Sequence, residues 1–160
     1  MTETRVRVAD AAVLRGVGIL STVGLGSCVA IALYDPEAAV GGLAHIMLPS
    51  ETMSKDRCNR AKFPSSAVPL LLERMRGLGA RDERIRARIV GGASMFTSLL
   101  PAGGLQMGER NLLATRTALA RAQIPIIAEE VGGEHGRSVY LHVGDGRLEV
   151  RSMMRGNVVL

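Results

Sequence analysis

The sequence has no tryptophan, and its aromatic side chains amount to 2% of the residues. That scarcity counts against single-strand nucleic-acid binding, which stacks bases on aromatic rings. It also leaves the core to Val, Leu, Ile, Ala and Met. There are only two cysteines, Cys28 and Cys58, with no paired spacing. This excludes the disulfide framework of a small secreted domain and fits a reducing cytoplasm. Lysine occurs only at 55 and 62, so the net charge of +5 is carried almost wholly by arginine, a side chain suited to bidentate contacts with carboxylates or phosphates. Internal repeats, low-complexity segments and linkers are absent. A chain of 160 residues, 47% hydrophobic, is long enough to bury a real core, and one domain spanning 1–160 is expected.

The densest basic run comprises Arg74, Arg76, Arg81, Arg84, Arg86 and Arg88. Its last three members alternate with Ile85, Ala87 and Ile89, as on a strand with one solvated face, so no nucleic-acid role is expected. The run Gly16 to Tyr34 lacks charge and is nominally long enough to span a membrane. Within it, "LGSC" approximates a lipoprotein cleavage box and "AIA" a signal-peptidase site. Four glycines (16, 18, 24 and 26) with Ser21, Thr22 and Ser27 break the run into two apolar strands around a turn. Neither membrane insertion nor lipid attachment is expected.

Strands are predicted at 4–8, 17–23, 28–34 and over "LAHIMLP". A polar loop then covers 50–63. Val68, Leu71, Leu72, Met75 and Leu78 give a helix from Ser66 to Gly77, with Pro69 tolerable only in its first turn. A strand at 84–90 leads into the glycine-containing loop "GGASMF". A second helix runs from Glu109 to Ala122 with Leu112, Leu113, Arg116, Leu119 and Ala120 as its buried stripe. "IPIIAEE" reads as a strand, and "RSVYLHVGDGRLEVRSM" as a hairpin with a tight primed turn at Asp145–Gly146. So few helices cannot cover both faces of a large parallel sheet; the expected class is α+β, sheets in layers with helices packed outside.

A turn centred between Pro36 and Glu37 would set Tyr34 opposite Ala39 and Cys28 opposite His45, with Cβ atoms about 4.5–5.5 Å apart. A bulge at Gly41–Gly42 would place the two on opposite faces. A cysteine attacks carbonyl carbon when a neighbour removes its proton, and His45 is the histidine this hairpin can deliver. Thr22 lies on the strand leading into the bend, and its hydroxyl can accept the imidazole N–H. Gly24 and Gly26 allow a tight turn that leaves N–H groups near the thiol for a developing oxyanion, with Gly26 and Ser27 as backbone support. The competing reading makes Cys28 an inert core residue and His45 a structural histidine. There is no P-loop, "GLGSCV" lacks the third glycine of a dinucleotide loop, and "LGSCV" is not a serine-hydrolase elbow. The Cys and His spacing matches no zinc site. His135 and His142 read as solvated surface.

The blocks "LGSCVAIALYDP", "GGLAHIMLP", "AVPLLLERMRGLGA", "ARIVGGASMF", "GERN", "IPIIAEEVGG", "GR" at 136–137 and the terminal hairpin occur in this order. Together they resemble the chemotaxis protein CheD family, the chemoreceptor glutamine deamidases. The resemblance implies a layered α/β/β sandwich related to the catalytic domain of cytotoxic necrotizing factor toxins. It places the nucleophile on Cys28, the histidine on His45 and the third active-site residue on Thr22. It further implies hydrolysis of glutamine side chains on the cytoplasmic helices of methyl-accepting chemoreceptors, no metal or organic cofactor, and a CheC-type phosphatase as second partner. Two positions depart from the family pattern: Glu130 stands where Asp is frequent, and Lys62–Phe63 replace a tyrosine. The alternative from another class is a catalytically idle binding module that regulates such a phosphatase or a receptor array. An activated Cys28 would be distinguished by alkylation at mildly acidic pH faster than that of Cys58.

Overall fold

One strand decides the architecture. β4 (Val29–Asp35) is buried at every position, so it must be covered on both faces. In the computed structural model, which describes residues 2–94 and 106–160, this is done by a layer of helices on one side and a second sheet on the other. Val29, Ile31 and Leu33 belong to the core against the helices; Ala30, Ala32 and Tyr34 belong to the core between the sheets. The alternation is the two-residue period of a strand used twice.

The first sheet contains β2 (Ala11–Arg15), β5 (Val40–Ile46), β4, β6 (Arg86–Gly91) and β7 (Ile126–Val131), in that order. The second contains β1 (Glu3–Arg5), β3 (Ile19–Leu25), β8 (Arg137–His142), β9 (Arg147–Ser152) and β10 (Gly156–Val159). Helices α1 (Pro64–Gly77) and α2 (Met107–Arg121) pack on the first sheet. The expected α/β/β layering is what the chain adopts. Its uncharged amino-terminal run forms β3 and β4, and among the described residues no helix is long and apolar enough to cross a membrane.

Close approach of the three layers depends on β5. A Cβ at Gly41 would meet Val143 Cγ2 at 2.9 Å and Leu141 Cδ2 at 3.0 Å on the sheet side. One at Gly42 would meet Met75 Sδ at 2.9 Å and Leu71 Cδ2 at 3.2 Å on the helix side. Each glycine therefore admits a neighbouring layer to one face of the strand that carries His45.

Several expectations need correction. The β4–β5 connection is two residues wider than predicted: Tyr34 pairs with Gly41, Asp35 with Val40 and Ala30 with His45. The cause is the buried Asp35 carboxylate, which accepts the N–H groups of Glu37 (3.0 Å) and Ala38 (3.2 Å) and shapes a four-residue turn closed by Ala39 at φ 51°. A shift of two keeps every side chain on its face. β6 has no solvated face: it lies between β4 and β7, and Arg88 is buried, donating to the Gly146 carbonyl at 2.7 Å and the Leu160 carbonyl at 3.0 Å. Arg84 pairs with Asp35 at 3.0 Å.

The buried stripe of α2 is Gly108, Asn111, Leu112, Thr115, Ala118 and Leu119, while Leu113 is exposed. Pro69 lies beyond the first turn of α1. The last hairpin turns through four residues, 143–146, with Gly146 at φ 80° donating to His142 O, and Asp145 keeps a negative φ. Either primed two-residue turn would need a positive φ at Asp145, its first central residue. Strands β2 and β10 were not anticipated, and Met95 and Phe96 of the predicted "GGASMF" loop lie outside the described residues.

Burial pushes the Asp35 carboxyl up, but the N–H groups of Arg81, Ala38 and Glu37 and the Arg84 guanidinium together hold it below its usual range. Its stabilisation is present above the unfolded pKa and is lost as pH falls through the lowered native value. Asp35→Ala is expected to cost about 3 kcal/mol at pH 7 in urea unfolding. The gap to wild type should close below the ordinary aspartate value of 3.8.

Candidate active site

Thr22 and His45 come from different sheets and meet between them. β3 presents Thr22 inward, fully buried, just before an irregularity that separates its Thr22–Val139 pair from Leu25–Arg137. Gly24, at φ 71°, sits inside that irregularity. β5 presents His45 inward from the opposite sheet, likewise fully buried. Thr22 Oγ1 and His45 Nδ1 are 2.7 Å apart.

The direction of that bond follows from a second one. Thr22 Oγ1 donates its single proton to the Val6 carbonyl at 2.6 Å. A hydroxyl has one hydrogen and two lone pairs, so toward the ring it can only accept. His45 must then carry its proton on Nδ1, and Nε2 is left as a bare lone pair. Nε2 is buried and has no hydrogen-bond partner among the described residues. Burial lowers the imidazole pKa to about 4, so at neutral pH the ring is an uncharged base with its acceptor nitrogen free.

Cys28 lies one residue before β4 and packs, half-buried, against the core between the sheets. Extending the β4–β5 register past its last pair, Val29–Ile46, makes Cys28 a diagonal neighbour of His45 on the same face. Such positions are about 7–8 Å apart, a gap that a thiol and an imidazole can bridge. No hydrogen bond yet joins the two, since Nε2 is unpartnered. Burial raises the thiol pKa, and the residue's own backbone N–H acts in the opposite sense on the sulfur. The resting pair is thus neutral thiol and neutral imidazole. Accelerated alkylation at mildly acidic pH would need a preformed thiolate, which the raised thiol pKa does not favour.

The loop that carries Cys28 is held by its carbonyls. Gly92 N–H donates to Cys28 O at 2.8 Å and Ala93 N–H to Gly26 O at 2.9 Å. Asn111 Nδ2 donates to Ser27 O at 2.9 Å. Gly91 must be glycine here: its φ is 113° and any Cβ would strike the Cys28 carbonyl. The sequence reading missed Val6 and Asn111. Val6 contributes only a carbonyl and leaves no signature. Asn111 was legible in principle, because Gly108, Asn111, Leu112 and Thr115 follow the same helical period as the apolar stripe.

The other candidates lie elsewhere. His135 is buried under the glycine-rich stretch 132–136, where solvated surface was expected, and His142 is half-buried with Nε2 3.5 Å from Glu149. The Arg137 guanidinium, fully buried, pairs with Glu130. Lys62 donates to Ser54 Oγ at 2.8 Å and Phe63 is buried at the start of α1. Cys58 is exposed. Among the described residues no group of three or more His, Cys, Asp or Glu side chains is arranged to hold a metal ion.

A protein-family model described as CheD chemotactic sensory transduction matches residues 47–152. Its span begins just after His45, so the case for Thr22, Cys28 and His45 rests on their geometry. Over nearly the whole length the chain is similar to proteins named probable chemoreceptor glutamine deamidase CheD. The one from Caldanaerobacter subterraneus subsp. tengcongensis is 45% identical over 152 residues, covering 95% of this chain and 94% of that protein. The Moorella thermoacetica protein is 45% identical over 158 residues (96% and 92%), and that of Pyrococcus abyssi 40% over 157 (98% and 96%). The solved structure of Bacillus licheniformis hypothetical protein YfiH shares 18% identity at TM-score 0.40, covering 70% of this chain and 46% of its own, a likeness too weak to bear on fold or function.

The neutral buried imidazole has a measurable consequence for stability. With a native pKa of about 4 against 6.5 unfolded, the unfolded chain binds the extra proton between those values. Wild type should therefore lose up to about 3 kcal/mol as pH falls from 6.5 to 4. Urea titrations of wild type and His45→Gln across this range should show that component vanish in the variant. An unchanged pH dependence would contradict a neutral His45.

Proposed function

The chain belongs to the CheD family, and on that premise we propose that it is a chemoreceptor glutamine deamidase that works through a Cys28 thioester. The observation that carries this reading is the Val6–Thr22–His45 relay, which leaves His45 Nε2 uncharged and free on the face shared with Cys28. Catalytic hydrogen bonds commonly tighten only when substrate is bound, and the Cys28–His45 contact is one of these.

As a receptor glutamine enters, His45 Nε2 takes the Cys28 proton and the sulfur attacks the carboxamide carbon. The oxyanion is held by backbone N–H groups of Ser27 and Cys28, on a loop supported by Gly26. The C–N bond then breaks, His45 returns its proton to the departing nitrogen, and ammonia leaves the thioester. Water enters, gives a proton to Nε2 and attacks the same carbon. Collapse frees the glutamate side chain and restores the thiol. The balance is glutamine and water to glutamate and ammonia. Each turnover replaces a neutral receptor side chain by an anion, so the output is electrostatic.

We place the substrates in the cytoplasm, where two unpaired cysteines persist as thiols. Val23 and Met47, which flank Thr22 and His45 in sequence, are exposed and form part of the rim. Receptor helices dock there, and a CheC-type phosphatase competes for the same mouth.

Ammonia release from a purified receptor cytoplasmic fragment tests the reading. Cys28→Ala and His45→Ala should lower kcat by at least ~10³-fold and leave the fold intact. Thr22→Val, which loses the acceptor, should lower it by about 10²-fold. Turnover retained by Cys28→Ala would defeat the nucleophile. Receptor binding without turnover by wild type would favour the regulatory module.

A further inference from the structure

We propose that Asn111 is a positioning residue that aims the oxyanion-binding N–H of Cys28 and clips the nucleophile loop to the strand of the base; this rests on the deamidase reading above. Asn111 is fully buried on α2. Its amide nitrogen donates to two backbone carbonyls, Ser27 O at 2.9 Å and Met47 O at 3.2 Å. Because both partners are acceptors, the side-chain orientation is fixed: the NH2 faces them and Oδ1 faces away.

Ser27 immediately precedes Cys28, and Met47 lies two residues beyond His45. The β4–β5 ladder ends at Val29–Ile46, so Asn111 spans the two chains where their own pairing stops, with one hydrogen for each. The Ser27 carbonyl also belongs to the peptide plane that carries the Cys28 N–H. In a trans peptide these two groups point in opposite directions, and no cis bond occurs in the described chain. Holding the carbonyl from the α2 side therefore turns the N–H the other way. The neighbouring planes are fixed similarly by Ala93 and Gly92, but among the described residues only Asn111 holds the one that carries the Cys28 N–H.

The asparagine carries a cost as well as two hydrogen bonds. Its Oδ1 is buried without a hydrogen-bond partner among the described residues, an arrangement that native interiors seldom retain without a use. A leucine would continue the stripe of Leu112 and Leu119 and bury no orphaned Oδ1, but it would leave the Ser27 and Met47 carbonyls without this donor.

Asn111→Leu and Asn111→Asp test the assignment, with ammonia release from a receptor cytoplasmic fragment, iodoacetamide alkylation of Cys28 and thermal unfolding measured on each. Neither variant can donate to the two carbonyls at neutral pH. Loss of one aimed oxyanion donor is expected to lower kcat about 10²- to 10³-fold with KM changed less than about threefold. Alkylation, which forms no oxyanion, should stay within about twofold of wild type. A folded variant with kcat within about threefold of wild type would overturn the inference. So would failure of both variants to fold, or an equal loss of alkylation and turnover, because either makes the role purely structural. If Cys28→Ala is inactive while both Asn111 variants work normally, only this inference falls. If Cys28→Ala still turns over, the deamidase chemistry falls and takes this inference with it.

Discussion

The hydrogen bond between Thr22 and His45 is the constraint around which the candidate site is built. It joins two sheets, it is sealed from solvent at both ends, and its direction is dictated by the Thr22 proton already committed to Val6. A carboxylate in the place of Thr22 would hold the same tautomer but would also favour the imidazolium. A neutral hydroxyl orients the ring without that bias. Burial then keeps the histidine uncharged and the thiol protonated. On the proposed mechanism such a pair is idle until a carboxamide arrives and proton transfer is coupled to attack, and a protonated thiol is the less reactive form.

The layers around this bond serve its geometry. Gly41 and Gly42 let the second sheet and α1 approach the two faces of β5, the strand that delivers His45. Gly91 lets β6 press against the Cys28 carbonyl. Three successive carbonyls, of Gly26, Ser27 and Cys28, are taken by donors from β6's trailing loop and α2. The loop that carries Cys28 is thereby held through its acceptors.

Much of this was legible before any coordinates. The apolar run "VAIALY" read as a buried strand, and the glycine-broken run before it argued for strands over a membrane helix; that the strand is covered on both faces emerged only with the structure. Cys28, His45 and Thr22 stood out as a candidate set, and the structure brings Thr22 and His45 into contact. What escaped were features set by backbone and by distance along the chain. The β4–β5 register moved by two because the Asp35 carboxylate built a wider turn, and parity alone preserved the shared face of Cys28 and His45. Arg88 alternates like a surface residue, yet it is buried because its partners, Gly146 and Leu160, come from remote parts of the chain. The Val6 carbonyl carries no side-chain signature, and Asn111, though it stood in the quoted block "GERN", was left out of a helical stripe whose phase was placed on Leu113, Arg116 and Ala120.

The most direct test of the central claim is the tautomeric state of His45, read from nitrogen-15 chemical shifts and long-range proton correlations of the imidazole in the resting protein near pH 7. The account predicts a neutral ring protonated at Nδ1, with Nε2 unprotonated, and loss of that preference in Thr22→Val. A ring protonated at Nε2, or an imidazolium at that pH, would contradict it.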